Sequence, residues 1–100
     1  MKRGSTPTHT FHISCDTSLI KEVKITYAQG NDIVLTKKAI DCELRAGKIV
    51  TKLTQEDSFK FDCTKPVYIQ LRVLFLDGEC VPSDIKMVDV GRCLDDEVLI

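Results

Sequence analysis

Hydrophobic and polar residues alternate over most of this 100-residue chain. The longest alternating segment is VYIQLRVLFL, residues 67–76, in which every second residue from Val67 to Phe75 is apolar. Shorter segments with the same period lie at residues 8–15, 21–29, 40–45 and 49–53. A period of two is typical of β-strands that bury one face, because successive side chains point to opposite sides of a strand.

Turn-forming residues separate these segments. QGND at 29–32 and RAGK at 45–48 each predict a hairpin, and DG at 77–78 predicts a type I′ hairpin. The chain then returns as ECVPSDIKMVDV, which contains Pro82. Because proline has no amide hydrogen to donate, this last segment is expected to be an edge strand that is bulged or starts late.

The segment LTQEDSFKF, residues 53–61, interrupts the alternation. Its Thr54 is placed to cap a helix by accepting a hydrogen bond from the amide of Asp57. Only about six residues remain before DCTKP, and Pro66 favours extended backbone in front of it, so one helical turn at most is expected. With Phe59 or Phe61 in the core, the segment is predicted to be a corner where the chain changes sheets.

About seven short strands with turn signals roughly every 8–12 residues predict an all-β fold. An immunoglobulin-like antiparallel sandwich fits this pattern best, and a small β-barrel is the alternative. Residues 1–7 are expected to form a flexible N-terminal arm, residues 8–92 the sandwich domain and residues 93–100 a C-terminal tail.

The composition excludes several classes of partner. With 14 basic and 15 acidic residues, the net charge of −1 gives no reason to expect nucleic-acid binding, which needs an excess of Lys and Arg. No apolar run approaches the ~18 residues of a membrane span, so no membrane partner is expected. The start of the chain, MKRGSTPTHT, lacks the apolar region of a signal peptide, which favours a cytosolic location.

Residues that carry chemistry are few and dispersed. His9 and His12 would lie on opposite faces of a strand and could not chelate one ion. The acidic pairs at 56–57 and 95–96 lack the ligand spacing of a calcium loop. The five cysteines have irregular spacings and no C-x-x-C, so reduced thiols are expected, with Cys93 the most accessible. No catalytic, metal-binding or cofactor-binding residue is assigned, and neither a cofactor nor enzymatic activity is expected.

Apolar residues nevertheless remain where solvent is expected. Two leucines lie on the outer face of the longest strand, and three apolar residues end the chain. Either the tail covers the leucines within its own chain, or both meet a neighbouring subunit. Tyr68 is the one aromatic residue expected to be exposed and available for a ligand. The candidate interface residues are Leu74, Leu76, Val98, Leu99 and Ile100.

Several segments together resemble a known group of proteins. RGSTPTHTFHI, DTSLIKEVKITYAQGNDIVLTK, LTQEDSFKF, VYIQLRVLFLDGE and VGRCLDDEVL resemble small structural proteins encoded in phages and prophages of Gram-positive bacteria. More loosely, the layout is similar to the immunoglobulin-like domain that begins phage baseplate upper proteins. There a β-rich segment runs into L-T-x-E-x-[ST] and a strand of the V-x-I-Q-L-R-V kind. The resemblance places Thr54, Glu56, Ser58 and Phe59 at the corner between sheets, and it transfers no functional residue.

The resemblance implies a non-enzymatic virion or assembly component that acts through protein–protein contacts. Its partner would be another copy of itself or a phage head, tail or baseplate protein, in the virion or in the host cytoplasm before assembly. One alternative is a carbohydrate- or host-surface-binding module with Tyr68 as the contact, although the chain has only six aromatic residues and no Trp. A second alternative is a host-targeting inhibitor, although such proteins are often strongly acidic.

Overall fold

Two antiparallel β-sheets make up the structure, a computed structural model that describes residues 1–100. There is one short helix, α1 (Gln55–Phe59), and two 3-10 turns cover Thr17–Leu19 and Ala39–Asp41. The strands are β1 (Thr8–His12), β2 (Ile20–Gln29), β3 (Asp32–Lys38), β4 (Cys42–Arg45), β5 (Lys48–Lys52), β6 (Val67–Phe75), β7 (Cys80–Pro82) and β8 (Lys86–Val88).

The smaller sheet has the strand order β1-β5-β4 and the larger has the order β3-β2-β6, with β7 and β8 both paired to the far side of β6. The prediction of an all-β antiparallel sandwich is confirmed, and the open sheets exclude a closed barrel. In constant-type immunoglobulin domains the second strand lies in the sheet that holds the first and fifth strands. Here β2 lies between β3 and β6 in the other sheet, so the strand order differs from that arrangement.

The core lies between the sheets and follows the alternation read from the sequence. Alternate residues of β2 and β6 point inward, and their neighbours in sequence, such as Lys24 and Arg72, remain exposed. The smaller sheet adds Ile49, and the connection after it adds Leu53 and Phe61. The twelve buried apolar residues are Val23, Ile25, Tyr27, Leu35, Ile49, Leu53, Phe61, Val67, Ile69, Leu71, Val73 and Val90.

One polar contact crosses this core from sheet to sheet. The hydroxyl oxygen of Tyr27 on β2 lies 2.7 Å from Nδ1 of His9 on β1, and the two ring centroids are 5.6 Å apart. Burial raises the pKa of Tyr27 far above its ordinary value, and nearby acidic groups add to the effect. Burial also lowers the pKa of His9, assisted by the charge of the Met1 ammonium. Both shifts favour a neutral pair joined by one hydrogen bond.

Helix α1 forms the corner between β5 of the smaller sheet and β6 of the larger. The hydroxyl of Thr54 accepts from the Asp57 amide at 3.1 Å, and the Asp57 carboxylate accepts from the Thr54 amide at 3.0 Å. The same carboxylate oxygen accepts from Nζ of Lys37 on β3 at 2.8 Å. Phe61, just after the helix, is buried in the core, and Phe59 is half-buried. The predicted N-cap, the short helix and the corner are all present.

Residues 1–7, predicted to form a flexible arm, make hydrogen bonds to the domain. The backbone amide of Arg3 donates to the carbonyl of Gly91 at 3.0 Å. Its side chain donates from Nε to the Phe61 carbonyl at 2.8 Å and from Nη2 to the Phe59 carbonyl at 3.0 Å. The carbonyls at the end of a helix lack partners within the helix, and Arg3 satisfies one of them, that of Phe59, together with the carbonyl of Phe61 just beyond the helix. The contact depends on the tertiary fold, so local composition did not indicate it.

The predicted strand at 40–45 begins later than expected. Ile40, the first apolar residue of that segment, lies in the 3-10 turn Ala39–Asp41 and is 92% exposed. The carboxylate of Asp41 accepts from the amide of Lys38 at 3.0 Å, which stabilises the turn and delays the start of β4 to Cys42. Acidic residues commonly favour such local turns over a strand ladder.

The last hairpin differs from prediction in its turn and in its second strand. The Gly78 amide donates to the Phe75 carbonyl at 3.0 Å, and Gly78 is the only residue of the turn with positive φ, whereas a type I′ turn needs two. Pro82 does lie on an edge strand, as predicted. The strand is split after it, because the Ser83 hydroxyl replaces a backbone group and accepts from the Leu71 amide at 3.0 Å.

Substituting Asp57 with Ala should lower the free energy of unfolding by about 2–4 kcal/mol, because it removes a helix cap and leaves the half-buried ammonium of Lys37 without its partner. Thr54→Ala removes only one cap contact and should cost about 1 kcal/mol. Urea unfolding followed by circular dichroism measures both values. An Asp57→Ala variant as stable as Thr54→Ala would show that the bridge to Lys37 contributes nothing.

The His9–Tyr27 contact predicts a specific dependence of stability on pH. The pKa of His9 is lower in the folded state than its unfolded value of 6.5. The contribution of neutral His9 to the free energy of unfolding is therefore fully present above pH 6.5 and is lost as the pH falls toward the folded pKa. Unfolding free energies measured between about pH 8 and pH 5.5 should decrease less in His9→Gln than in the wild type. His12→Gln, which changes an exposed histidine, should keep the full decrease. Identical pH profiles for the wild type and His9→Gln would refute this assignment.

Candidate functional site

Residues able to catalyse reactions or bind metals are not gathered at one place. No group of three or more His, Cys, Asp or Glu side chains lies close enough to hold a metal ion. All five cysteines are unpaired, and burial raises the pKa of the half-buried Cys42 thiol. Cys63 and Cys80 are exposed, whereas Cys93 is half-buried and its sulfur donates to the carbonyl of Asp95 at 3.1 Å. The expectation that Cys93 is the most accessible thiol is therefore wrong.

The outer face of the larger sheet carries an exposed row of apolar side chains. Ala28 on β2 pairs with Ile33 on β3 and with Tyr68 on β6, and Tyr68 pairs with Met87 on β8. Directly paired residues on neighbouring strands lie on the same face, so these four form one line across the sheet, termed the apolar row. Ile33, Tyr68 and Met87 are 64%, 40% and 59% exposed. Contiguous exposed apolar side chains of this kind mark a candidate interaction surface.

A second line of residues on the same face is positively charged. Lys24 on β2 pairs with Lys38 on β3 and with Arg72 on β6, and all three side chains are exposed and make no ion pair. These residues are termed the basic row. Lys24 precedes Ala28 by four residues, so the basic row lies about 13 Å from the apolar row along the strand. Like charges directly opposite each other destabilise a sheet, so the basic row is not explained by folding.

A hollow of about 670 Å³ lies over the basic row and is termed the basic hollow. Lys21 joins the three cations of the row in its lining, and Glu22 is its only acidic residue. Leu74, one of the candidate interface residues, is half-buried in this lining, where it pairs with Glu22 across the strands. Ala39 and the exposed Ile40 also line the hollow.

Leu76 lies in a different place from Leu74. It follows the end of β6, is exposed, and lines a second hollow of about 360 Å³ with Leu19 and Phe75. The amide of Leu76 donates to the carbonyl of Leu19 at 2.9 Å, which holds it against the turn before β2. The two leucines therefore do not form one patch.

The tail, residues 93–100, is bound to the corner of its own chain. The side-chain amide of Gln55, the first residue of α1, accepts from the Leu99 amide at 2.9 Å and donates to the Leu99 carbonyl at 2.8 Å. The guanidinium of Arg3 forms an ion pair with the carboxylate of Asp96 at 2.8 Å. No tail residue lines either hollow, so the tail does not cover Leu74 or Leu76 in its own chain.

The apolar end of the tail faces solvent despite these contacts. Val98 is half-buried, whereas the side chains of Leu99 and Ile100 are exposed. The five candidate interface residues thus lie in three separate places: the basic hollow, the second hollow and the tail. Sequence reasoning missed Ile33, Met87 and the basic row, because only the register between strands aligns them.

Comparison with known proteins identifies no relative. No protein-family model, no curated protein and no solved structure matches this chain. The structure has no helix that is both long enough and apolar enough to cross a membrane. Its functional interpretation therefore depends on the surface described above.

Lys24→Glu should raise the free energy of unfolding by a few tenths to about 1 kcal/mol at low ionic strength, because it places an acid between Lys38 and Arg72. The gain should shrink in high salt, which screens exposed charges. Lys24→Gln, which only removes the repulsion, should give a smaller gain. Thermal unfolding at two salt concentrations tests this, and a loss of stability in Lys24→Glu would contradict the proposed repulsion.

Proposed function

We propose that this chain is a non-enzymatic virion or assembly component of a phage or prophage that acts through protein–protein contacts. The observation that carries the proposal is the apolar row, in which Ile33, Tyr68 and Met87 are exposed along one line across the sheet. The core of a protein interface is enriched in Tyr and Met and depleted of charge. The resemblance to phage structural proteins supports a head, tail or baseplate protein as the partner, or another copy of the chain.

The composition of the apolar row favours a protein partner over a carbohydrate. Tyr68 is the only aromatic side chain exposed by more than a third, because Tyr27 and Phe61 are buried and the other three phenylalanines are half-buried. A single ring with aliphatic neighbours offers little stacking area for a sugar. Ile33 and Met87 instead supply apolar area and an adaptable thioether, which suit a protein surface.

The face of the larger sheet is a better docking element than its edges. On one side the edge consists of β7 and β8, which have three residues each and are separated by the irregular segment after Pro82. On the other side β3 pairs with β2 through a register shift next to Ala28. Short and irregular edge strands hinder the addition of a further strand. Burial of the apolar row is therefore the proposed mode of contact.

The proposal is tested by capture from lysates of phage-producing cells, with quantitative mass spectrometry of the bound proteins. The wild type should retain a phage head, tail or baseplate protein in stoichiometric amount. Tyr68→Ser combined with Met87→Ser should reduce retention at least about tenfold, because it removes two of the three exposed apolar side chains of the row. Tyr68→Leu, which keeps apolar area without an aromatic ring, should retain the partner.

Two outcomes would contradict the proposal. Stoichiometric capture of one host protein and no phage protein would favour the host-targeting inhibitor. Binding to cell-wall glycans that is lost in both Tyr68→Ser and Tyr68→Leu would favour the carbohydrate-binding module, since stacking on a sugar needs the ring itself.

A further inference from the structure

The basic hollow has more positive charge than its own chain neutralises. Lys21, Lys24, Lys38 and Arg72 line it, and Glu22 is the only acid among them. None of these side chains belongs to any of the three ion pairs of the structure, although Lys24 faces a cation on each side. The excess of three positive charges, four cations less one acid, calls for an anionic partner.

The same hollow also presents apolar surface. Ile40 lines it and is 92% exposed, and Ala39 lies beside Ile40. Leu74, on β6, is half-buried in the same lining. An exposed isoleucine next to a cluster of cations does not suit a small inorganic anion, which would leave the apolar side chains wet. A partner that complements the whole hollow therefore combines acidic with apolar side chains.

The tail has this combination in consecutive residues. Asp95, Asp96 and Glu97 are exposed acids, and Val98, Leu99 and Ile100 follow them directly. Asp96 is the only one of the acids in an ion pair. The bonds from Gln55 hold the backbone of Leu99 and leave its side chain free.

A tail cannot easily supply these groups to the hollow of its own chain. It is anchored to α1, and α1 is bonded through Asp57 to Lys37. Lys37 pairs with the buried Ile25, so it lies on the inner face of the larger sheet. The basic row belongs to the outer face, and no tail residue lines the hollow.

The dimensions of the tail suit the hollow of another molecule. The hollow extends over β3, β2, β6 and β7, which is three strand spacings of about 4.8 Å, or about 14 Å. Residues 95–100, fully extended, reach about 20 Å. The segment is therefore long enough to place acids over the basic row and apolar residues against Ile40 and Leu74.

We infer that the basic hollow binds residues 95–100, the acidic and apolar part of the tail, from a second copy of this chain. The inference rests on the proposed function and names one of its partners. Because the hollow and the tail are different surfaces of the same molecule, each copy offers one donor and one acceptor site. Such a head-to-tail contact produces a ring when its rotation closes and a filament when it does not.

The first test is light scattering coupled to size exclusion on the full chain over a wide range of concentration and salt. The average mass should rise with protein concentration and fall as salt screens the contact between acids and cations. A monomer at every concentration in low salt would overturn the inference.

The decisive test uses two variants that each lose one side of the contact. The hollow variant is Lys24→Gln with Ile40→Ser, and the tail variant is Glu97→Gln with Leu99→Ser. All four side chains are exposed and make no hydrogen bond, so both variants should fold. Each alone should self-associate at least about tenfold more weakly than the wild type. Mixed together they should form a 1:1 complex that does not grow, because it contains only one intact tail and one intact hollow.

Matched controls separate this contact from others. Lys52→Gln with Ile85→Ser makes the same chemical changes as the hollow variant, but at exposed positions outside the basic hollow and the tail. It should assemble like the wild type. If the variant Tyr68→Ser with Met87→Ser no longer self-associates while the hollow variant still does, the inference fails although the proposed function survives. If the hollow and tail variants both lose assembly but do not complement each other, the interface is not head-to-tail and the inference fails. Failure of the wild type to capture any phage protein, with assembly intact, would instead count against the proposed function alone.

Discussion

The carboxylate of Asp57 connects the two halves of this sandwich. Burial alone would raise its pKa, but hydrogen bonds from Lys37 and from the backbone of Thr54 outweigh burial and lower it, so the group stays charged. Through it the edge strand of the larger sheet holds the corner that follows the smaller sheet. The corner sets where β6 begins, and β6 carries the most regular part of the core. One partly buried ion pair at the edge of the sheet therefore fixes the corner from which β6 starts, and the ladder with β2 then positions the strand.

The register between β2, β3 and β6 also determines the outer face. The inward side chains are chosen by packing, and a shift of one residue would move them all into solvent. That register also determines the neighbours of the outward residues, and it places Lys24 between Lys38 and Arg72. The apolar row and the basic row are thus two consequences of a single alignment. A spacing of four residues along β2, about 13 Å, separates them, so the two rows share no side chains.

Local pattern was sufficient where burial and capping act within a few residues. The alternation of β2, β5 and β6, the cap at Thr54 and the edge position of Pro82 are of this kind. It was insufficient where a side chain bonds to distant backbone. Gln29, assigned to a turn, is buried at the end of β2, and its amide bonds to the backbone of Asp62 and Lys65. Arg3 behaves in the same way, and neither contact leaves a periodic signal in the sequence.

The apolar row and the basic row could not be predicted from the sequence for a related reason. Tyr68, Leu74 and the tail could each be recognised as unusual, but their neighbours on adjacent strands could not be named without the register. The structure separates Leu74 from Leu76 and from the tail of the same chain, so the tail does not cover the two leucines within its own chain. A row of unpaired cations beside an exposed isoleucine does not stabilise the fold of an isolated domain. The same residues become favourable when an acidic and apolar segment covers them, and the chain itself carries such a segment at residues 95–100.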